Sequence, residues 1–303
     1  MEGETRTVTD AKGAVVEIPA QPKRVIALSE LTLDSALALD VTPIATTAGR
    51  GQGTVAAYLH DRAKDIESVG ILAQPKLERV ATLKPDLILT DGTATLDASV
   101  MDKLRKIAPT VYVSRTGADW REAFQSTADA MGLHDRGVEK LKEFDERVAS
   151  IRSKLGDNAD AEISIVRWGG IGLPAVIMKE LSAGRTLTAL GLRRPEFQDR
   201  EGPGHSEPVS YENIEYLDGD WMFFGALGNG GPAAGVSETP ADVAAAQEAI
   251  EWAKETPGFT NLKAYREGHV VAVDGSAWTS AGGYLAQQVV LDDVERELTG
   301  SGG

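Results

Sequence analysis

The sequence predicts an α/β fold: two α/β lobes, each built on a mainly parallel central sheet, joined by one long α-helix. Three observations carry this reading. Apolar strands alternate with helical segments along most of the chain, the pattern of parallel strands linked by crossover helices. A segment recurs 134 positions downstream, Leu77-Glu78-Arg79-Val80-Ala81-Thr82-Leu83-Lys84-Pro85-Asp86-Leu87-Ile88-Leu89 being echoed by Tyr211-Glu212-Asn213-Ile214-Glu215-Tyr216-Leu217-Asp218-Gly219-Asp220-Trp221-Met222-Phe223. Each copy opens a short helix with a Glu, spaces apolar residues at helical period (Val80 and Leu83; Ile214 and Leu217), and sets an Asp before an apolar strand. Between the copies lies a long amphipathic stretch from about 135 to 155, with Val138, Leu141, Phe144, Val148, Ile151 and Leu155 on one stripe. At 1.5 Å per residue it makes a rod of about 30 Å, long enough to connect two lobes.

In chain order, Thr5 to Glu17 alternates around Asp10-Ala11-Lys12-Gly13 and reads as a β-hairpin, broken by Pro19 and Pro22. Arg24-Val25-Ile26-Ala27-Leu28 is a buried strand ending at Ser29-Glu30, followed by a helix over 31–39 and a strand from Val41 to Ala45. Strands at 87–90 and 110–113 follow helices. A helix over 119–131 is cut at Gly132. A second α/β series begins at Ile163-Ser164-Ile165-Val166-Arg167-Trp168. It continues with helices at 186–190 and 210–217, a strand at 221–224, a Gly/Ala/Pro-rich loop over 225–240, a helix over 243–254, a strand over 269–273 and a terminal helix over 282–298. The expected division is an N-terminal lobe over 1–118, a helical segment over 119–158 containing the interlobe helix, and a C-terminal lobe over 159–303.

The 303 residues carry a net charge of −15 and no basic block, which disfavours nucleic acid and anionic membrane surfaces as partners. Without cysteine there are neither disulfides nor thiolate metal sites. No run approaches the roughly 20 apolar residues of a membrane span. The opening Met1-Glu2-Gly3-Glu4 has neither the basic nor the apolar region of a signal peptide.

Signatures of catalysis are missing. His60, His134, His205 and His269 stand at no metal-ligand spacing, and neither a Gly-x-Ser-x-Gly elbow nor a P-loop occurs. Gly49-Arg50-Gly51-Gln52-Gly53 is glycine-dense but lacks the spacing of a dinucleotide fingerprint. Ligands of open parallel sheets bind beyond the carboxyl ends of the strands. The residues there are Ser29, Glu30, Arg50, Asp91, Gly92 and Arg115 in the first half, and Arg167, Trp168, Gly169, Gly170, Gly225 and Trp278 in the second. Arg167-Trp168 sets a planar cation for anionic oxygens beside a flat apolar wall, against the plainer reading of a paired Arg and a core Trp. Arg50 and Arg115 read equally as surface charges, and Trp278 equally as a core cap. Tyr58, Tyr284 and His205 stay open between core, loop and cleft. Glu78 and Glu212 gain from the helix dipole, about 0.3–1 kcal/mol each. Their matched placement, one per lobe, also suits docking of a two-fold basic partner.

Thr7-Val8-Thr9-Asp10, Gly13, Val16-Glu17-Ile18-Pro19 and Pro22-Lys23-Arg24-Val25-Ile26-Ala27-Leu28 resemble the opening of the periplasmic-binding family for iron–siderophore and cobalamin uptake. Leu77 to Ile88 matches that family's most typical segment, and Gly282-Gly283-Tyr284-Leu285-Ala286 with Val290-Leu291-Asp292-Asp293 is similar to its siderophore branch. The resemblance implies a monomeric substrate-binding protein of an ABC importer that takes a ferric siderophore into the interlobe cleft. It implies no enzyme activity, no cofactor, and iron held by the siderophore alone. By position it implies ligand contacts at Arg167 and Trp168 and permease docking through Glu78 and Glu212, and the strand-end reading adds Trp278, Arg50, Arg115 and Glu30 as candidate ligand contacts. Few cleft arginines favour a hydroxamate over a triply anionic catecholate, and Trp168 and Trp278 in the cleft make fluorescence quenching the expected signature of binding. It further implies a periplasmic or cell-surface lipoprotein with signal and anchor removed, since the lipid-bearing cysteine is missing. Alternatives are a cobalamin- or haem-binding member and, from another class, a doubly wound α/β enzyme with Glu30 and Asp91 as acid or base.

Overall fold

The computed structural model describes residues 4–169, 172–201, 206–227 and 241–300. The chain divides into two compact units; the first holds 4–142 and 281–285, and the second holds the other described residues. A hairpin opens the first unit, with β1 (Thr5–Thr9) antiparallel to β2 (Val15–Pro19) in the register Thr5↔Pro19 to Thr9↔Val15. Its turn is the predicted one. Asp10 accepts from the backbone N–H of Lys12 (2.8 Å) and Ala14 (2.9 Å), and Gly13 takes a φ of 85°.

The central sheet of this unit is wholly parallel. It comprises β3 (Val25–Ala27), β4 (Ala45–Thr46), β5 (Glu67–Ser68), β8 (Leu87–Thr90) and β9 (Thr110–Tyr112), in the order β5-β4-β3-β8-β9. A small ribbon of β6 (Gly70–Ile71) and β7 (Gln74–Pro75) stands apart from it. Strands buried on both faces read as unbroken apolar runs, as Leu87 to Leu89 do. The helices are α1 (Glu30–Ala38), α2 (His60–Ala63), α3 (Leu77–Thr82), α4 (Ala98–Ile107) and α5 (Trp120–Ala130). Helix α1 is buried along its whole length and is started by a capping box between Ser29 and Thr32. Asp97 and Asp119 cap α4 and α5. Gly132 ends the α5 segment at φ 75°, where a Cβ would come within 2.6 Å of the Ala20 carbonyl oxygen.

Helix α6 (His134–Arg152) follows, and the division between the units falls inside it, between Lys142 and Glu143. Its expected apolar stripe is buried only in part. Phe144, Val148 and Ile151 lie in the core, whereas Val138 is exposed.

The second unit carries a mixed sheet in the order β12-β11-β10-β13-β14. Strands β10 (Ile163–Arg167), β13 (Trp221–Gly225) and β14 (Val270–Val273) are parallel, while β11 (Ala175–Ile177) and β12 (Ser206–Pro208) add an antiparallel edge. Its helices are α7 (Ser182–Ala189), α8 (Val243–Ala253), α9 (Lys263–Arg266) and α10 (Gly275–Trp278). Helix α11 (Tyr284–Leu298) begins among the first unit's residues and ends in the second. The repeated segment Tyr211–Leu217 is a 3₁₀ helix broken at Asn213, where an α-helix was expected. Its two buried residues, Ile214 and Leu217, are three apart, and 3₁₀ geometry puts such residues one above the other.

The Asp that closes each repeat has one structural role, performed twice. Strands β3 and β8 pair Val25 with Leu87; β10 and β13 pair Ile163 with Trp221. One residue earlier, Asp86 donates its N–H to the Arg24 carbonyl (3.0 Å) while its carboxylate accepts the Arg24 N–H (2.8 Å). Asp220 does the same with Glu162, at 2.8 Å both ways. Each carboxylate thus continues the ladder past the strand start and fixes register. The Glu162 N–H, then Lys263, holds the Asp220 carboxyl below its ordinary value. Because the folded pKa is depressed, this stabilisation is present above about pH 3.8 and is lost as pH falls through the folded value. Asp220→Ala is expected to lower stability by about 1–3 kcal/mol in urea melts at pH 7, a difference that shrinks below pH 4. An unchanged midpoint at pH 7 would refute the latch.

Candidate functional site

The strand ends of the two units occupy corresponding places. In the first, β3 leads through Leu28 to Ser29, the N-cap of α1, and Glu30, its first residue. Ser29 donates its hydroxyl to the Asp91 carboxylate in a short bond, and Asp91 also accepts the Thr93 N–H at 2.6 Å. Arg50 reaches the Thr93 carbonyl at 3.3 Å. Burial pushes the Asp91 carboxyl up, opposed by these bonds and by the Arg50 charge. The loop after β9 closes on the same place, since Gly92 donates to the Ser114 carbonyl (2.9 Å) and Thr116 donates back to the Gly92 carbonyl (3.0 Å). Arg115, in that loop, is exposed and gives one bond to the Ala11 carbonyl (2.9 Å). The structure therefore brings Arg50, Asp91 and the Arg115 loop together around Gly92. Glu30 is buried, and Asp91 is spent on holding the loop, not presented to solvent.

In the second unit, Arg167 ends β10, half-buried, with its guanidinium donating to the Ser206 hydroxyl (2.8 Å) and the Thr279 carbonyl (3.2 Å). These bonds fix the plane of the fork. Trp168 was expected as an apolar wall for ligand, and the structure differs: the ring is 4% exposed, packed near Phe224 and edge-on to Phe259, with its indole N–H donating to the Gly172 carbonyl (3.2 Å). Strand alternation explains this. Val166 and Trp168 share one core cluster, on the face opposite Arg167. Trp278 is likewise corrected. It is fully buried, stacked on Phe223 at 4.4 Å, and donates to the Asp293 carboxylate (2.8 Å), which that burial pushes up in pKa. Neither indole offers a face to a solute.

Glu78 and Glu212 are both exposed, above buried Val80 and Ile214. Tyr284 belongs to the core, stacked on Phe124 at 5.0 Å. Tyr58 donates to Asp34 (2.9 Å), whose buried carboxylate also accepts the N–H of Gly283 (3.2 Å) and Leu285 (2.9 Å). His134 pairs with Asp129, and His269 stacks on Trp221 at 4.0 Å. His205 lies outside the described residues. Among the described residues no cluster of His, Asp and Glu could hold a metal ion, and no helix is long and apolar enough to cross a membrane.

Sequence reasoning missed Arg194. It is 5% exposed and donates to the carbonyls of Ile163 and Ile177 (2.7 Å each) and to Gln198 (2.6 Å). Gln198 in turn donates to Ser164 (2.7 Å) and accepts the Ile165 N–H (3.1 Å). This network lies behind the strand that presents Arg167.

Two α/β units repeat one strand register, and each sets an arginine at or after a strand end, Arg50 in the first and Arg167 in the second, the architecture of a two-unit binding protein. The chain belongs to the periplasmic binding protein family, whose model matches residues 25–277. It is similar to the probable siderophore-binding lipoprotein YfiY of Bacillus subtilis (strain 168), with 32% identity over 299 residues, covering 96% of this chain and 87% of the relative. It is also similar to the Fe(3+)-citrate-binding protein YfmC of the same organism, with 27% identity over 300 residues, covering 97% of this chain and 86% of that one. Among solved structures, Staphylococcus aureus SirA complexed with staphyloferrin B superposes with a TM-score of 0.77 at 26% identity, covering 97% of this chain and 98% of the other.

Proposed function

We propose that this protein is the extracytoplasmic substrate-binding protein of an ABC importer, capturing a ferric siderophore and delivering it to the permease. The observation that carries the reading is likeness over nearly the whole chain to a relative described as siderophore-binding. Arg167 supports it from the site, as a guanidinium oriented by Ser206 and Thr279 and suited to the oxygens of an iron chelate. Arg50 and Arg115 are the further cations proposed for the ligand, whereas Glu30, as buried as Trp168, drops out of the set. Burial removes Trp168 and Trp278 from that set. The protein acts as a monomer and is either periplasmic or, as YfiY is described, a lipoprotein. Glu78 and Glu212 are its docking points on the permease.

The small number of arginines favours a hydroxamate chelate. A second reading, a carboxylate chelate, is favoured by the relative named for ferric citrate. A ferric trihydroxamate, a ferric triscatecholate and ferric citrate, each titrated against the melting temperature, separate these readings. A true ligand at a hundred times its Kd stabilises the fold by about 2.7 kcal/mol. No shift with any of the three would overturn the siderophore reading. With the chelate that binds, Arg167→Ala is expected to weaken affinity more than about tenfold, and Arg167→Lys to recover only part, because an ammonium lacks the planar fork. Unchanged affinity in Arg167→Ala would remove this residue from the ligand site.

A further inference from the structure

The hairpin that opens the first unit is tied to the rest of that unit at both ends. At its tip the Ala11 N–H donates to the Tyr112 carbonyl at the end of β9 (2.8 Å). At its base the Arg6 guanidinium donates from Nη2 to the Ala130 carbonyl (3.0 Å) and, in a short bond, to the Asp129 carbonyl; its Nε donates to the Ala20 carbonyl (3.4 Å). Along the strand between these ties lies a cavity of about 570 Å³, lined by β1, the end of β9, α5 and the turn after α5. Small-molecule sites run from about 300 to 1,000 Å³, so this space suits a ligand better than one or two waters.

Its two ends carry opposite charges that the protein leaves without counter-ions. Burial alternates along β1, and Arg6, Val8 and Asp10 share the inward face. Four residues of strand put about 13 Å between the α-carbons of Arg6 and Asp10. The Arg6 guanidinium is fixed by its backbone carbonyls, and its Nη1 makes no bond among the described residues. Asp10 is 5% exposed; its Oδ1 is taken up by the turn, and its Oδ2 has no partner among the described residues. Nearby cations are engaged elsewhere, since Lys12 lies over the Tyr112 ring at 4.1 Å and Arg115 gives its Nε to the Ala11 carbonyl. Asp129 and His134, which also line the cavity, pair with each other at 2.7 Å. Val8, Val111 and Val113 supply an apolar wall. A buried carboxylate oxygen without a donor is costly, and a guanidinium fixed beforehand loses little entropy on meeting an anion.

We propose that this cavity is a second ligand site, for an elongated zwitterion: a carboxylate on Arg6, an ammonium on Asp10 Oδ2, and an apolar chain between them. A short peptide and an ω-amino acid share that chemistry. A simple anion would leave Asp10 unmet, and a simple amine would leave Arg6 so. Charge-assisted bonds at both ends fix the direction of the ligand as well as its affinity. None of Arg50, Arg115 and Arg167 lines this cavity, so it stands apart from the residues proposed for the chelate.

The test is calorimetric titration of the full chain with ε-aminocaproate, set against caproate and hexylamine, each of which lacks one charged end. The zwitterion is expected to bind at least about tenfold tighter than either. Asp10→Asn keeps an Oδ1 acceptor for the Lys12 and Ala14 N–H groups and so spares the turn. It should weaken ε-aminocaproate about tenfold and leave caproate unchanged, since only the ammonium has lost its partner. Arg6→Gln should weaken both. Trialanine has the same end groups with peptide bonds between them, and whichever zwitterion binds tighter tells a peptide site from one for a plain amino acid. No binding of either would overturn the proposal, as would caproate binding as tightly as ε-aminocaproate. Unchanged affinity in Asp10→Asn would do the same. Loss of ε-aminocaproate binding in Arg167→Ala would place it among the strand-end residues and also overturn the proposal. Should Arg6→Gln melt below the assay temperature, the Asp10→Asn comparison decides alone.

Discussion

Arg194→Ala is expected to destabilise the protein by about 3–5 kcal/mol, the largest loss foreseen for any single substitution here. The guanidinium is nearly inaccessible and bridges three elements: the first residue of β10, the last of β11, and Gln198. Removing it leaves the Ile163 and Ile177 carbonyls without this donor. Burial pushes the guanidinium down to about 9, against the pull of Asp199 and Glu180, so it is charged in both folded and unfolded states at neutral pH. A base with a depressed folded pKa costs stability while charged, and that cost is relieved only as pH rises above about 9 towards the ordinary guanidinium value. The network persists because its hydrogen bonds offset this cost. Truncation gives up the bonds and leaves a cavity besides. Arg194→Lys should restore little, since one ammonium does not reproduce a fork that spans two strands. Urea unfolding measures both variants, and a loss under about 1 kcal/mol for alanine would show that the sheet edge closes without the bridge.

Where the chain could be read from sequence, the signal was local. The hairpin turn at Asp10 to Gly13, the break at Gly132 and the strand–helix alternation each depend on residues a few positions apart. So does the repeat, whose Glu, apolar pair and Asp recur because each unit solves the same problem at β8 and β13. What could not be read depended on distant partners. Strands β11 and β12 are three residues each, too short for a periodic signal, and their pairing is antiparallel within an otherwise parallel order. Arg193-Arg194-Pro195 looks like a charged surface turn, and only the closed sheet shows that Arg194 points inward. Trp168 and Trp278 were misplaced because an aromatic at a strand end looks the same whether it faces ligand or core. The i, i+2 relation of Val166 to Trp168 held the correct answer, whereas the Asp293 partner of Trp278 lies in another helix and gave no sign. The 3₁₀ form of Tyr211–Leu217 was hidden for a related reason, since residues three apart fit either helix.

The combined variant Glu78→Ala with Glu212→Ala is expected to abolish uptake of the ferric chelate while leaving its affinity and the melting temperature unchanged. Both side chains are exposed and sit above buried apolar residues, so truncation disturbs no core contact. Surface substitutions of this kind are usually within about 0.5 kcal/mol in stability. Neither residue belongs to the strand-end set around Arg167 or Arg50, so chelate binding has no reason to respond. On the docking reading proposed above, the permease would lose both carboxylate contacts, and charges that meet at an interface contribute to encounter rate as well as to residence. If these carboxylates dock on cationic groups, raised ionic strength should mimic part of the defect in the parent protein by screening that attraction, and should do little in the double variant. Transport assays on membranes holding the permease, run beside chelate titrations, separate docking from capture. Normal uptake by the double variant would remove both carboxylates from the docking role. Lost chelate affinity would move them to the ligand site instead. The single variants add a finer comparison. Glu78→Ala and Glu212→Ala alone should each give an intermediate loss of uptake, and a full loss from either one would show that the other carboxylate contributes nothing.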